Sequence, residues 1–203
     1  ILVTGKLLKD PKYFAFAEGW FKAWASRPAP FQRLDCTAPG VAMIEVAQEI
    51  KSKEIFDSLV LLAGYLSSRS KDRDIFDTWE SLCLIPPYGG EELPKFEAEL
   101  LANPPGGTCV DCLHFDPPFF TGLGKALNNP AYTDIGVQQA IAYIDALQLE
   151  SGIFDHFFLN GVPGTWGQGW GRGQGWALLG MLDVLHQIPK THSGYNKIKE
   201  AAE

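Results

Sequence analysis

The chain has 203 residues with the composition of an ordinary water-soluble globular protein, and it is generous in aromatics, with 6 Trp and 13 Phe. That length supports one good hydrophobic core, or part of a larger domain. A formal charge of -7 argues against nucleic acid or an anionic membrane as main partner, but not against a small anionic ligand, because local cations outweigh global charge at contact distance.

No apolar stretch reaches membrane-spanning length; the run over residues 55–66 is interrupted by Asp57 and Ser58. The start carries no charged-then-apolar leader, and a chain opening on Ile1 without a Met is expected of a mature or truncated product. The expectation is therefore a soluble protein, with cytoplasmic and secreted locations both open and the oligomeric state undetermined.

In chain order, residues 11–26 are predicted helical: Pro11 suits a first turn, and Phe14, Phe16, Trp20, Phe21 and Trp24 supply anchors, most at helical spacing. Arg27-Pro28-Ala29-Pro30 ends that helix. Residues 34–40 form a turn that opens a second helix over 41–50, and Lys51-Ser52-Lys53 breaks to a third over 54–67. So short a link predicts an antiparallel hairpin. Residues 75–84 are predicted as another short helix, closed by Pro86-Pro87-Tyr88-Gly89-Gly90, and 93–101 carry a weak helical pattern.

Asn103-Pro104-Pro105-Gly106-Gly107 is a firm break. Asp116-Pro117 then reads as an N-cap followed by proline in the first turn, opening a helix to about residue 127, and Asn129-Pro130 repeats the arrangement. Behind it, Val137, Ala140, Ile141, Ile144 and Leu147 recur at three- and four-residue spacing. Residues 152–161 are irregular. Leu178, Met181, Leu182, Leu185 and Ile188 mark the clearest helix, stopped by Pro189, and a weak one starts near Ser193. No β-sheet pattern is evident, so the reading is an all-α protein of repeated hairpins that do not repeat in sequence.

Ahead of the clearest helix lies Trp166-Gly167-Gln168-Gly169-Trp170-Gly171-Arg172-Gly173-Gln174-Gly175-Trp176. Dense glycine allows tight turning. Indoles can stack on the apolar face of a sugar, and a guanidinium can grip a carboxylate through two parallel hydrogen bonds. A pocket for an acidic sugar needs that combination; the alternative is a surface loop whose tryptophans plug the end of a helical core. No Lys-Ser or Lys-Thr follows the glycines, so the stretch is not a phosphate loop. The cysteines are Cys36, Cys83, Cys109 and Cys112. One C-x-x-C is not a zinc site while the remaining Cys and His are scattered in sequence, so no metal is expected. Bridged pairs, a redox motif and plain thiols stay open, with plain or structural use favoured.

Several segments together resemble the unsaturated glucuronyl and rhamnogalacturonyl hydrolases, glycoside hydrolases built as an (α/α)6 barrel of six helical hairpins. The family's Asp-x-x-x-Pro-Gly turn is matched by Asp35, Pro39 and Gly40. Its Trp-x-Asp with a following Pro-Phe is matched by Cys109-Val110-Asp111 and Pro118-Phe119. Its Gly-Leu-Tyr-x-His becomes Gly152-Ile153-Phe154-Asp155-His156, and its Trp-x-Arg-Gly-Asn-Gly-Trp becomes Trp170-Gly171-Arg172-Gly173-Gln174-Gly175-Trp176. The match runs over about 34–188, loosely between 66 and 105. Two departures stand out, Cys109 for Trp and Gln174 for Asn, and they suggest a divergent subgroup. A full barrel has twelve helices, whereas seven or eight are read here. The expected fold is thus an all-α six-hairpin barrel or a fragment of one, with residues 1–203 forming a single helical-hairpin glycosidase domain or an incomplete one.

The resemblance implies hydration of the C4=C5 double bond of an unsaturated uronic acid at the end of an oligosaccharide, with no metal or organic cofactor. Asp111 takes the place of the general acid/base, which wants a pKa raised by an apolar wall or a like charge; Phe115, Phe119 and Phe120 are candidates for the wall and Asp35 for the charge. Asp35 matches the second acidic position, with capping of the helix at Val41 as its competing role, although Thr37 lies nearer. His156 matches a substrate-contacting histidine, able to donate when neutral or to hold the uronate when cationic. Arg172 would orient the carboxylate, Trp170 or Trp176 would form the stacking platform with Trp166 a weaker candidate, and His114 would help electrostatically. Competing readings are a non-catalytic sugar-binding or structural relative, favoured by the Trp-to-Cys change, and a Cys109–Cys112 redox pair, disfavoured because such pairs usually follow a strand.

Overall fold

The computed structural model describes residues 1–27, 40–78 and 105–203. α1 (Leu2–Leu8) leads to α2 (Pro11–Ala25), where Asp10 accepts the Lys12 N–H and Pro11 takes the first turn, as the sequence predicts. α3 (Gly40–Ile50) and α4 (Lys53–Ser68) pack together across the expected short link. Lys51 in that link is left-handed at φ 52°, and the Ser52 hydroxyl caps α4 by accepting the Ile55 N–H at 3.3 Å.

The helix predicted from residue 75 is not there. Lys71–Asp72 (β1) and Ile75–Phe76 (β2) pair antiparallel around Arg73 and Asp74, both at positive φ. The reason is tertiary: Gln139 accepts the Phe76 N–H at 3.0 Å and donates to the Asp74 carbonyl at 2.8 Å, holding the turn from outside. Residues 79–84 of that prediction, and the weak helix at 93–101, lie outside the described residues.

A second small sheet joins β3 (Gly107–Cys109) to β4 (Phe157–Leu159), with Cys109 opposite Phe157. Both pairs correct the expectation of no sheet. β3 runs directly into α5 (Cys112–Leu127), which starts well before the predicted Asp116-Pro117 boundary. Pro117 and Pro118 sit inside the helix, and Asp116 is buried rather than capping. Prolines there leave the carbonyls one turn back without helical donors. One of these, of Leu113, packs so closely on Gly180 that a Cβ at that glycine would lie 2.2 Å from the carbonyl oxygen.

α6 (Pro130–Leu147) opens as predicted, with Asn129 accepting the Ala131 N–H at 3.1 Å, and it buries Val137, Ala140, Ile144 and Leu147. α7 (Gly171–Gln187) and α8 (Tyr195–Ala202) complete the described helices. α7 turns a different face inward from the one its leucines suggest. Ala177, Gly180, Met181 and Val184 are buried, while Leu178 and Leu182 stay 43% and 45% exposed. Small residues at Gly173, Ala177 and Gly180 let α7 approach α5 more closely than leucines would.

The eight described helices make four contacting pairs of chain neighbours, α1 with α2, α3 with α4, α5 with α6 and α7 with α8, and α5 also packs on α3 and α7. Their buried side chains gather in two clusters. One holds Phe21, Met43, Leu59 and Leu62; the other holds Tyr143, Leu147, Phe157 and Met181. α5 lies between and feeds both, giving Phe119, Phe120 and Leu123 to the first and Cys112 and Leu113 to the second. No described helix is long and apolar enough to cross a membrane.

Candidate active site

The site forms where β3 ends and α5 begins. The Val110 N–H donates to the His156 carbonyl at 2.7 Å, and the His156 N–H donates to the Trp166 carbonyl at 2.7 Å. These backbone bonds bring Asp111, at the N-terminal end of α5, beside His156: Nε2 lies 3.7 Å from Asp111 Oδ1. Asp111 sits at the cap position, yet its side chain makes no capping hydrogen bond, so helix capping does not account for it. The Trp170 ring centroid is 4.0 Å from that of His156, and the Arg172 guanidinium carbon stands 4.3 Å from the centre of the Trp170 ring. Asp111, His156, Trp170 and Arg172 therefore make one cluster, drawn from α5, the segment before β4, and the start of α7.

Two glycines explain why the tryptophan-rich stretch is built as it is. Gly167 has φ 81°, and a Cβ there would meet the His156 Cβ at 2.6 Å. A Cβ at Gly173 would lie 2.6 Å from the Trp170 ring and 2.9 Å from the Val110 side chain. Gln174 does something the sequence reading missed. It accepts the Phe154 N–H and donates to the Phe154 carbonyl, both at 2.8 Å, so α7 clamps the segment that carries His156. The signal available was its place in a motif that otherwise carries Asn.

Burial raises the Asp111 pKa above its usual value, while the positive charge of Arg172 pulls it back. Burial also lowers His156 to about 4, with Arg172 adding to the effect. Its ring is neutral at neutral pH, which leaves the hydrogen-bonding role of the two considered and removes the cationic one. His156 and Asp111 thus form no ion pair there, and 3.7 Å is beyond hydrogen-bond contact. Arg172 is exposed and makes no ion pair with a described carboxylate.

His114 and Trp176 form a neighbouring aromatic group, stacked at 5.0 Å and 29°, with Phe115 at 5.9 Å from Trp176. Burial lowers the His114 pKa against the opposing pull of Asp183, 3.6 Å away. Two other expectations, the Phe119–Phe120 wall and Trp166 as a platform, fail. Phe119 and Phe120 belong to the far apolar cluster, two turns along α5, and do not wall Asp111. Trp166 is buried against Phe157, out of reach as a platform. Asp35 lies outside the described residues, as do Cys36 and Cys83. Cys109 and Cys112 are free, buried thiols with sulfurs 3.7 Å apart. They do span a strand end and a helix start, the placement thought to be missing. Burial, however, pushes the Cys112 thiol well up, the opposite of what an attacking thiolate needs.

The sequence profile described as Glycosyl Hydrolase Family 88 matches residues 6–203. The chain belongs to glycosyl hydrolase family 88. Among solved structures, this family 88 chain is similar to a family 105 glycoside hydrolase from C. acetobutylicum, with a TM-score of 0.74 at 16% identity, covering 98% of this chain and 54% of that one. The structure of a candidate family 105 member from Salmonella enterica serovar Paratyphi A gives a TM-score of 0.72 at 16% identity, with 98% and 49% covered. A polysaccharide lyase gives 0.65 at 16% identity, with 98% and 54% covered. No curated protein matches at a significant level. At such identities the likeness is one of fold, and it places the all-α family 88 chain among six-hairpin proteins. The chain spans about half the length of these structures.

Proposed function

We propose that the chain hydrolyses oligosaccharides ending in an unsaturated uronic acid, as a single glycosidase domain or as part of one. The observation that carries the reading is the convergence of a carboxyl of raised pKa, a neutral histidine, an indole and a guanidinium: Asp111, His156, Trp170 and Arg172. Arg172 pairs with the uronate carboxylate and Trp170 carries the apolar sugar face, while His156 donates to a hydroxyl. Asp111 in its protonated form gives its proton to C4 of the C4=C5 double bond. The resulting carboxylate then draws a proton from the water that adds at C5, which restores the acid. The C5 hemiketal so formed opens and releases the remaining saccharide. His114 and Trp176 would border the next sugar. Asp35 is proposed as the second acid on the resemblance alone.

The test is loss of the ultraviolet absorbance of the conjugated double bond when the protein meets lyase-treated pectin or glycosaminoglycan fragments. Asp111→Asn is expected to abolish that loss while keeping ligand binding. A wild-type protein that consumes none of a varied panel would refute the reading and favour a binding relative.

A further inference from the structure

The fold gathers three residues of a kind that sequence spacing keeps apart. The Cys109 thiol, an Asp111 carboxylate oxygen and a His156 ring nitrogen all lie within 4.8 Å of one another. We propose that Cys109, Asp111 and His156 together bind a thiophilic divalent cation of the zinc type. A tetrahedral site with metal–ligand bonds of roughly 2.0–2.3 Å has ligand–ligand edges of about 3.3–3.8 Å. The His156–Asp111 separation of 3.7 Å already fits, and the Cys109 sulfur, within 4.8 Å of both partners, has at most about 1.5 Å to close. Water takes the fourth.

The donor set selects the ion. One thiolate, one imidazole and one carboxylate suit zinc or cobalt, whereas magnesium and calcium want oxygen throughout. Arg172 is the opposing charge nearby, and the two anionic ligands outweigh it. Asp111 Oδ1 is buried and receives no hydrogen bond from a described residue, which leaves it able to accept a cation. Cys112 falls outside that group of three, and its sulfur accepts the Thr78 hydroxyl at 3.2 Å. The Cys109 thiol passes its proton to solvent on binding. A cation held this way occupies the carboxylate of Asp111 and blocks proton delivery. That inhibitory consequence rests on the hydrolase reading; the binding itself does not.

The experiment is cobalt(II) titration of the reduced full chain, read by absorption. A thiolate-to-cobalt charge-transfer band together with tetrahedral visible bands is expected at one equivalent. Cys109→Ser should remove the charge-transfer band and Cys112→Ser should keep it. Cys36 and Cys83 are present in both variants, so a band arising from them survives Cys109→Ser. His156→Gln should weaken binding by more than about a hundredfold, exceeding the loss of an outer partner. No band in the wild type, or one that persists in Cys109→Ser, overturns the proposal. Because no substrate is used, either result stands apart from the fate of the hydrolase reading.

Discussion

The Gln174 clamp can be tested by shortening it. Gln174 makes two hydrogen bonds of 2.8 Å to the backbone of Phe154, a residue only 3% exposed. Gln174→Asn, which restores the residue usual in the family motif, withdraws the amide by about 1.5 Å and takes both contacts past hydrogen-bond length. Each bond is worth about 1 kcal/mol net, and a buried group left unpaired costs about 1–3 kcal/mol. The expected loss is about 2–4 kcal/mol, or a fall in Tm of roughly 5–15 °C for a domain of this size. Gln174→Glu refines the test. It keeps the acceptor for the Phe154 N–H but sets a carboxylate against the Phe154 carbonyl, so its melting point should recover as acid protonates the new side chain. The assay is thermal denaturation across a pH series, alongside kcat on an unsaturated disaccharide. If both variants melt like the wild type at neutral pH, the clamp does not hold the His156 segment and the reasoning fails.

Other outcomes follow from the same cluster. If Asp111 must carry a proton to react, kcat/KM falls as pH rises through its elevated pKa, and it falls on the acid side as His156 protonates near about 4. Arg172 lowers both groups, so Arg172→Gln should carry the whole pH profile to higher values while weakening substrate binding; an unmoved profile would refute the coupling. Gly180→Ala places a methyl 2.2 Å from the Leu113 carbonyl and forces α5 and α7 apart, at about 2–3 kcal/mol by chemical denaturation. Trp170→Ala should raise KM about tenfold, close to 1.4 kcal/mol of lost binding, with a smaller change in kcat in steady-state assays.

What could be read from the sequence divides along physical lines. Proline and Asn or Asp at helix starts announced α2 and α6 because capping is local chemistry. The same rule misplaced α5: Asp116-Pro117 looks like a cap, yet the helix already runs through it, held by packing against α7 that no local window contains. The leucines of α7 misled in the same way, since backbone approach at Gly180 outweighed hydrophobic bulk. Within the site, Asp111, His156, Trp170 and Arg172 were named from motif and resemblance, and the fold sets them side by side. The roles of Phe119 and Phe120 were wrong because residues eight and nine positions along a helix are about 12 Å away. Gln174 and the approach of Cys109 to His156 were not legible, since each is a contact between segments distant in sequence.

α5 sits in both apolar clusters, and that has a thermodynamic consequence. Neither cluster can melt while the other survives, because losing the helix strips Phe119 and Phe120 from one side and Leu113 from the other at once. Calorimetry should therefore record one endotherm for the two clusters, with van't Hoff and calorimetric enthalpies in agreement. Asp111, at the head of that helix, would lose its surroundings in the same transition.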